Sequence, residues 1–226
     1  MFHYFKKRSW LTSSNRQQKD YAEQLIADKS KLVKDIKIVS LDLETTGLNA
    51  KTDRIVSAAW VMIDHGVINL NATQHHYVKT VTTRQHFDSI AIHGIHPTEL
   101  SDGIAPEHLI ERVIEHTTGA VLLAHNVMSD WRFLNRLCQR FWRKHFICPV
   151  IDTLAIERQR LERRQALINP NSLTLAACRK RYGLPEFAEH DPLNDSLATA
   201  ELFLAQANRL GRLQGLTLKD CGVRLK

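Results

Sequence analysis

The sequence predicts an α/β fold, a central mixed sheet of five strands flanked by helices. Three observations predict it. Beyond residue 35 the chain opens with β-type runs joined by short turns. It then alternates apolar runs with helical periodicity. One run, Ala120 to Ala124, is apolar throughout, as a strand buried on both faces must be.

The elements follow in order. Residues 36–43 alternate in the manner of a half-buried strand. Residues 54–63 form a second strand, rich in Val and Ile and containing Trp60. His65-Gly66 makes a turn, and residues 75–81 form a third strand. Such short connections imply antiparallel pairing. Residues 106–117 read as a helix with Leu109, Ile110, Val113 and Ile114 inward. After the strand at 120–124, Ser129 caps a helix to about residue 144. Val150 and Ile151 give a fifth strand, and a helix follows from Asp152. A helix over 172–182 ends at Gly183 and Pro185. Asp191-Pro192 is a cap followed by a first-turn proline, opening a last helix to about Arg209. Residues 1–35 are polar and basic, with a weak helical stripe at Tyr21, Leu25 and Leu32.

Composition excludes several classes. No apolar run reaches the length of a membrane span, and Lys6, Lys7 and Arg8 are not followed by the apolar core of a secretory signal. The four cysteines form no Cys-x-x-Cys pair, which argues against structural zinc and fits a reducing, cytoplasmic setting. A net charge of +7, from 31 basic and 24 acidic residues, suits a polyanionic partner.

The chemistry is concentrated in three segments. In Ile38-Val39-Ser40-Leu41-Asp42-Leu43-Glu44-Thr45-Thr46-Gly47, strand alternation puts Asp42 and Glu44 on one face, with Leu41 and Leu43 on the other. Two carboxylates side by side on an apolar strand repel, and one must protonate unless a cation joins them. Hard oxygen donors favour Mg²⁺ or Mn²⁺. The second segment, Leu122 to Leu134, is a buried strand that ends in His125-Asn126, with Asp130 opening the next helix. By position alone Asp130 reads as an acid in a first helical turn. In the third, His190-Asp191-Pro192-Leu193-Asn194-Asp195, Asp195 points away from the helix's apolar stripe, and His190 reads as a loop residue.

Together these segments resemble the DEDDh 3′→5′ exonucleases, a family that includes the proofreading epsilon subunit of bacterial DNA polymerase III. Asp42 to Gly47 match its Asp-x-Glu-Thr-Thr-Gly run. His125, Asn126 and Asp130 match its second motif, and His190 and Asp195 its third. Ile92-His93-Gly94-Ile95 and Ile151-Asp152-Thr153-Leu154 are supporting matches. The resemblance implies a ribonuclease H-like three-layer fold. It implies two divalent ions held by Asp42, Glu44, Asp130 and Asp195, with His190 as general base. It places Thr45, Thr46, Leu48, His93, Ile95 and Asn126 at the substrate. It makes residues 36–211 the exonuclease domain, followed by a short tail over 212–226, while the composition of 1–35 reads as a basic helical extension packed on the domain edge, with a flexible arm as the alternative. The expected partner is a nucleic-acid 3′ end, DNA in preference to RNA, with polymerase association left open. Ser129 departs from the aromatic residue often found before the second-motif Asp. Arg158, Arg160, Arg163, Arg164, Arg179, Lys180 and Arg181 read equally as a path for phosphates or as a solvated helix face. A catalytically silent nucleic-acid-binding module is the reading of a different class.

Overall fold

A computed structural model describes residues 2–80, 95, 97–211 and 213–226. Two helices come first, α1 (Phe2–Leu11) and α2 (Arg16–Glu23). Three strands follow, β1 (Lys37–Thr45), β2 (Ile55–Asp64) and β3 (Val67–Tyr77). Then come α3 (Pro97–Asp102), α4 (Pro106–Thr117), β4 (Ala120–Ala124), α5 (Met128–Trp142) and β5 (Pro149–Asp152). The chain closes with α6 (Thr153–Arg163), α7 (Leu175–Arg181), α8 (Pro192–Gly211) and β6 (Arg224–Leu225).

The sheet runs β3-β2-β1-β4-β5-β6. β1, β2 and β3 are antiparallel neighbours, and β4 and β5 run parallel to β1. Among the described residues it therefore has six strands where five were expected. The sixth pairs only Arg224 and Leu225 with β5, too short a stretch to show alternation. β3 also begins earlier than expected, at Val67 directly after the turn. As an edge strand it is mostly exposed along Val67 to Ala72, so the apolar signal there is weak. α5 starts without a side-chain cap, so Ser129 lies inside the helix. The helix expected over 172–182 is split. A 3₁₀ turn over Pro170–Leu173 precedes α7, whose cap is Thr174.

Each face of the sheet carries its own core. Val39, Leu41 and Leu43 pack with Trp10, Tyr21, Leu109, Ile114 and Leu134 under α1, α2, α4 and α5. Ile38, Val61, Val121, Leu123 and Ile151 pack with Ala200 and Phe203 of α8. Leu216, Leu218, Cys221 and Val223 complete this second core. The result is three layers, helix on sheet on helix. All four cysteines are buried and unpaired. No helix among the described residues is long and apolar enough to cross a membrane.

Candidate active site

The acid face of β1 reads Ile38, Ser40, Asp42, Glu44, and α8 lies across it. The first two positions bury themselves against that helix. The Ser40 hydroxyl donates to the carbonyl of Ser196 at 2.7 Å. That bond fixes the first turns of α8 over the strand and delivers the adjacent Asp195 to the pair. Carboxylate oxygens of Asp42, Glu44 and Asp195 all lie within 4.8 Å of one another. Asp130 reaches the group from α5, its carboxylate accepting the backbone N–H of Leu43 between the two β1 acids. Glu44 and Asp130 are buried.

Burial and mutual repulsion dominate the electrostatics. Burial pushes the Asp42 carboxyl well above the usual range, and the charges of Asp130, Asp195 and Glu44 push the same way. Asp130 is pushed up to about 7, by burial first, despite N–H bonds from Leu43 and from its own backbone. Asp195 is pushed up to about 6 by burial and Glu44, against the opposing pull of His190. A site of this kind holds protons or cations, and its all-oxygen donors suit a hard divalent ion.

His190 is exposed on the loop before α8, and its N–H donates to Asp195 Oδ2 at 2.9 Å. Its φ of +66° is the left-handed region, which side chains other than glycine adopt rarely. Asp191 is the cap, accepting the N–H of Asn194 at 2.8 Å. The loop after β1 closes on itself. The Thr45 hydroxyl donates to the Gly47 carbonyl, and the Thr46 hydroxyl accepts the Arg54 N–H. Leu48 stands 90% exposed at its apex. Ile95 is buried with Val56 and Leu100. Asn126 is exposed at φ +67°, its N–H bonded to Asp152. His93 lies outside the described residues.

Residues 39–203 match a sequence family described as exonuclease. The chain belongs to the DEDD exonuclease family. A DNA polymerase III of PolC type from Thermotoga petrophila is 29% identical over 166 residues, covering 74% of this chain and 11% of that protein. A DNA polymerase III subunit epsilon-like protein from Rhodobacter capsulatus is 31% identical over 79% of this chain and 25% of its own length. Ribonuclease T from Buchnera aphidicola is 28% identical over 78% of this chain and 85% of its own. This chain thus spans only 11% and 25% of the two polymerase-type relatives. Among solved structures, exonuclease I superposes with a TM-score of 0.65 at 20% identity, over 79% of this chain and 42% of that one. Cell-death related nuclease 4 gives 0.62 at 17%, over 76% and 64%. These likenesses show the ribonuclease H-like fold.

Two polar residues beside the acids, Ser57 and His75, carry no signal in the sequence motifs. Ser57 lies opposite Glu44 on β2, and His75 shares a row with Asp42 through Ala59. Ser57 Oγ and His75 Nε2 lie 2.8 Å apart. Burial pushes His75 down, against the charges of Asp191 and Glu99. One serine in the apolar run of β2 is the signal that was available. His125 is a brace. Its ring bonds the Thr153 hydroxyl and the Leu173 carbonyl, each at 2.8 Å, tying β4 to the segment before α7.

Proposed function

We propose that this chain is a metal-dependent 3′→5′ exonuclease of the DEDDh branch, hydrolysing the terminal phosphodiester of DNA to release nucleoside 5′-monophosphates. The convergence of Asp42, Glu44, Asp130 and Asp195 carries the reading. Among the described residues no lysine or arginine forms an ion pair with Asp42, Asp130 or Asp195. The donor set fits two Mg²⁺ or Mn²⁺ ions, which when bound supply charge neutralisation at the phosphate and a reactive water. The protein's own part is orientation and proton transfer. β1 presents Asp42 and Glu44 from a strand paired on both edges, and the Leu43 N–H keeps Asp130 aimed at them. His190, in the electrostatic field of Asp195, takes the proton of the attacking water. Thr45, Leu48 and Asn126 border the terminal nucleotide.

Single-stranded DNA is the favoured substrate, since exonuclease I has been captured with oligonucleotides such as dT13 and dA16. RNA is the second reading, favoured by the ribonuclease T relative, most of whose length this chain covers. The test is digestion of matched single-stranded DNA, duplex, mismatched duplex and RNA oligomers, labelled at the 5′ end. Stepwise 3′ shortening that needs Mg²⁺ or Mn²⁺ and stops with EDTA is expected, with DNA shortened faster than RNA. Asp42→Ala lowers the rate by roughly a thousandfold or more. An unchanged rate in that variant removes the proposal.

A further inference from the structure

The structure sorts the basic residues that the sequence left as one undivided group. Arg160 and Arg181 both bind buried Glu157, at 2.6 and 3.3 Å. Arg179 is buried, with Glu201 at 2.8 Å and the Ala198 carbonyl at 2.7 Å. These three hold the fold together. Arg158 is different. It is exposed on the other side of α6, and no carboxylate lies within ion-pair distance of it among the described residues.

Arg158 stands on the wall between two cavities, of about 520 and 730 Å³, and Asn126 borders both. The first cavity is also lined by Arg224 of β6 and by Lys226. Lys226 is near enough to α1 to help lower the Lys6 amine, after burial, and Lys6 Nζ lies 5.8 Å above the Trp131 ring. Three separate stretches of chain, α1, α6 and the end of β6, therefore place four cations along one side of residues 126–131, the segment that carries Asp130. Two carboxylates share the cavities. Asp152 is committed to capping α6 and to the Asn126 N–H. Glu162 is the one other acidic side chain among the described residues lining either cavity, against the side chains of Arg158, Arg224 and Lys226. Like charges gathered from distant segments repel, and a polyanion laid along them relieves that repulsion.

We infer that this strip, Arg158–Arg224–Lys226, binds the phosphodiester backbone of a single nucleic-acid strand on the 5′ side of the nucleotide being removed. The inference rests on the exonuclease reading and extends it from the reacting bond to the strand behind it. The residues involved lie outside the acid cluster, so their loss spares the chemistry.

The experiment compares the wild type with the double variant R158E/R224E on two substrates, a 20-mer single strand and the p-nitrophenyl ester of thymidine 5′-monophosphate. The expected result is a KM for the 20-mer raised about tenfold or more, kcat within about twofold, and unchanged kinetics on the ester. Binding of a phosphorothioate 20-mer should lose salt dependence, the slope of log K against log salt falling by about 0.7 for each phosphate contact removed. R158Q/R224Q should shift both in the same direction by less. An unchanged 20-mer KM overturns the strip, as does an equal loss on both substrates. So does a wild-type 20-mer affinity that the variant keeps while losing affinity for an acidic peptide. A wild type inactive on both substrates instead removes the exonuclease reading and the strip with it.

Discussion

At the scale of residues, the two β1 acids were legible because alternation is a local rule. Asp42 and Glu44 share a face whatever the rest of the chain does. Asp130 and Asp195 were not legible from their own segments, since their meeting depends on a Leu43 N–H and a Ser40 hydroxyl on another element. Their raised protonation has a stability consequence with a definite sign. An acid whose folded value lies above its unfolded one binds more protons when folded, so stability falls as pH rises between the two values. With Asp130 at about 7 and Asp195 at about 6, against 3.8 unperturbed, the window opens near pH 4 and closes near 7. The metal-free protein should lose this part of its stability across that window. Mg²⁺ or Mn²⁺ should restore it, raising Tm more at pH 8 than at pH 5, as thermal melts with and without EDTA will read. Equal metal shifts at both pH values would contradict the assignment. His190 invites a separate test. Because its backbone is left-handed, His190→Gly keeps the loop conformation while removing the imidazole. The proposed base predicts a kcat loss of about 10²- to 10⁴-fold with little change in Tm. A Gly variant with wild-type kcat assigns the proton transfer elsewhere.

At the scale of elements, the strands and helices with strong periodicity were placed within a residue or two, and Ala120–Ala124 was read outright. The misses share a cause. β3 is an edge strand with little to bury, β6 is two residues long, and α7 is too short to carry a stripe. What holds α6 and α7 together is polar and invisible to periodicity. Glu157 is fully buried between Arg160, Arg181 and the Tyr182 hydroxyl, which donates to it at 2.9 Å. Burial alone would raise its carboxyl, but the bonds from Arg160 and Tyr182 outweigh this and hold it below the usual range. Removing one partner of such a network leaves the others desolvated and unmatched. Glu157→Ala should therefore cost about 3–5 kcal/mol in urea denaturation, reduced by whatever water reaches the half-exposed arginines. Glu157→Gln should cost less, since the hydroxyl and one guanidinium keep an acceptor. A neutral Glu157→Ala would mean that the arginines re-solvate freely.

At the scale of the whole molecule, the three layers are closed by chain ends that read as peripheral in the sequence. A basic, polar stretch with a faint stripe offers no sign that its single tryptophan is a core residue. Yet Trp10 is fully buried, with its ring 5.1 Å from that of Tyr21 and its indole N–H donating to the His145 carbonyl at 2.8 Å. The Tyr21 hydroxyl donates to the Ile147 carbonyl, so both rings are anchored to the stretch that enters β5. β5 in turn pairs with β4, whose end leads to Asn126 and Asp130. The first helices thus support the sheet beneath the acid cluster from the opposite face. Trp10→Ala opens a large cavity and strands a carbonyl, and should destabilise the fold by about 3–5 kcal/mol. Trp10→Phe keeps most of the volume and loses the hydrogen bond, at about 1–2 kcal/mol. Both costs should appear in chemical denaturation, while below the midpoint the specific activity of the folded fraction stays near wild type. If Trp10→Ala melts like wild type, the helices are a dispensable cover, and their burial contributes nothing that the rest of the core does not already supply.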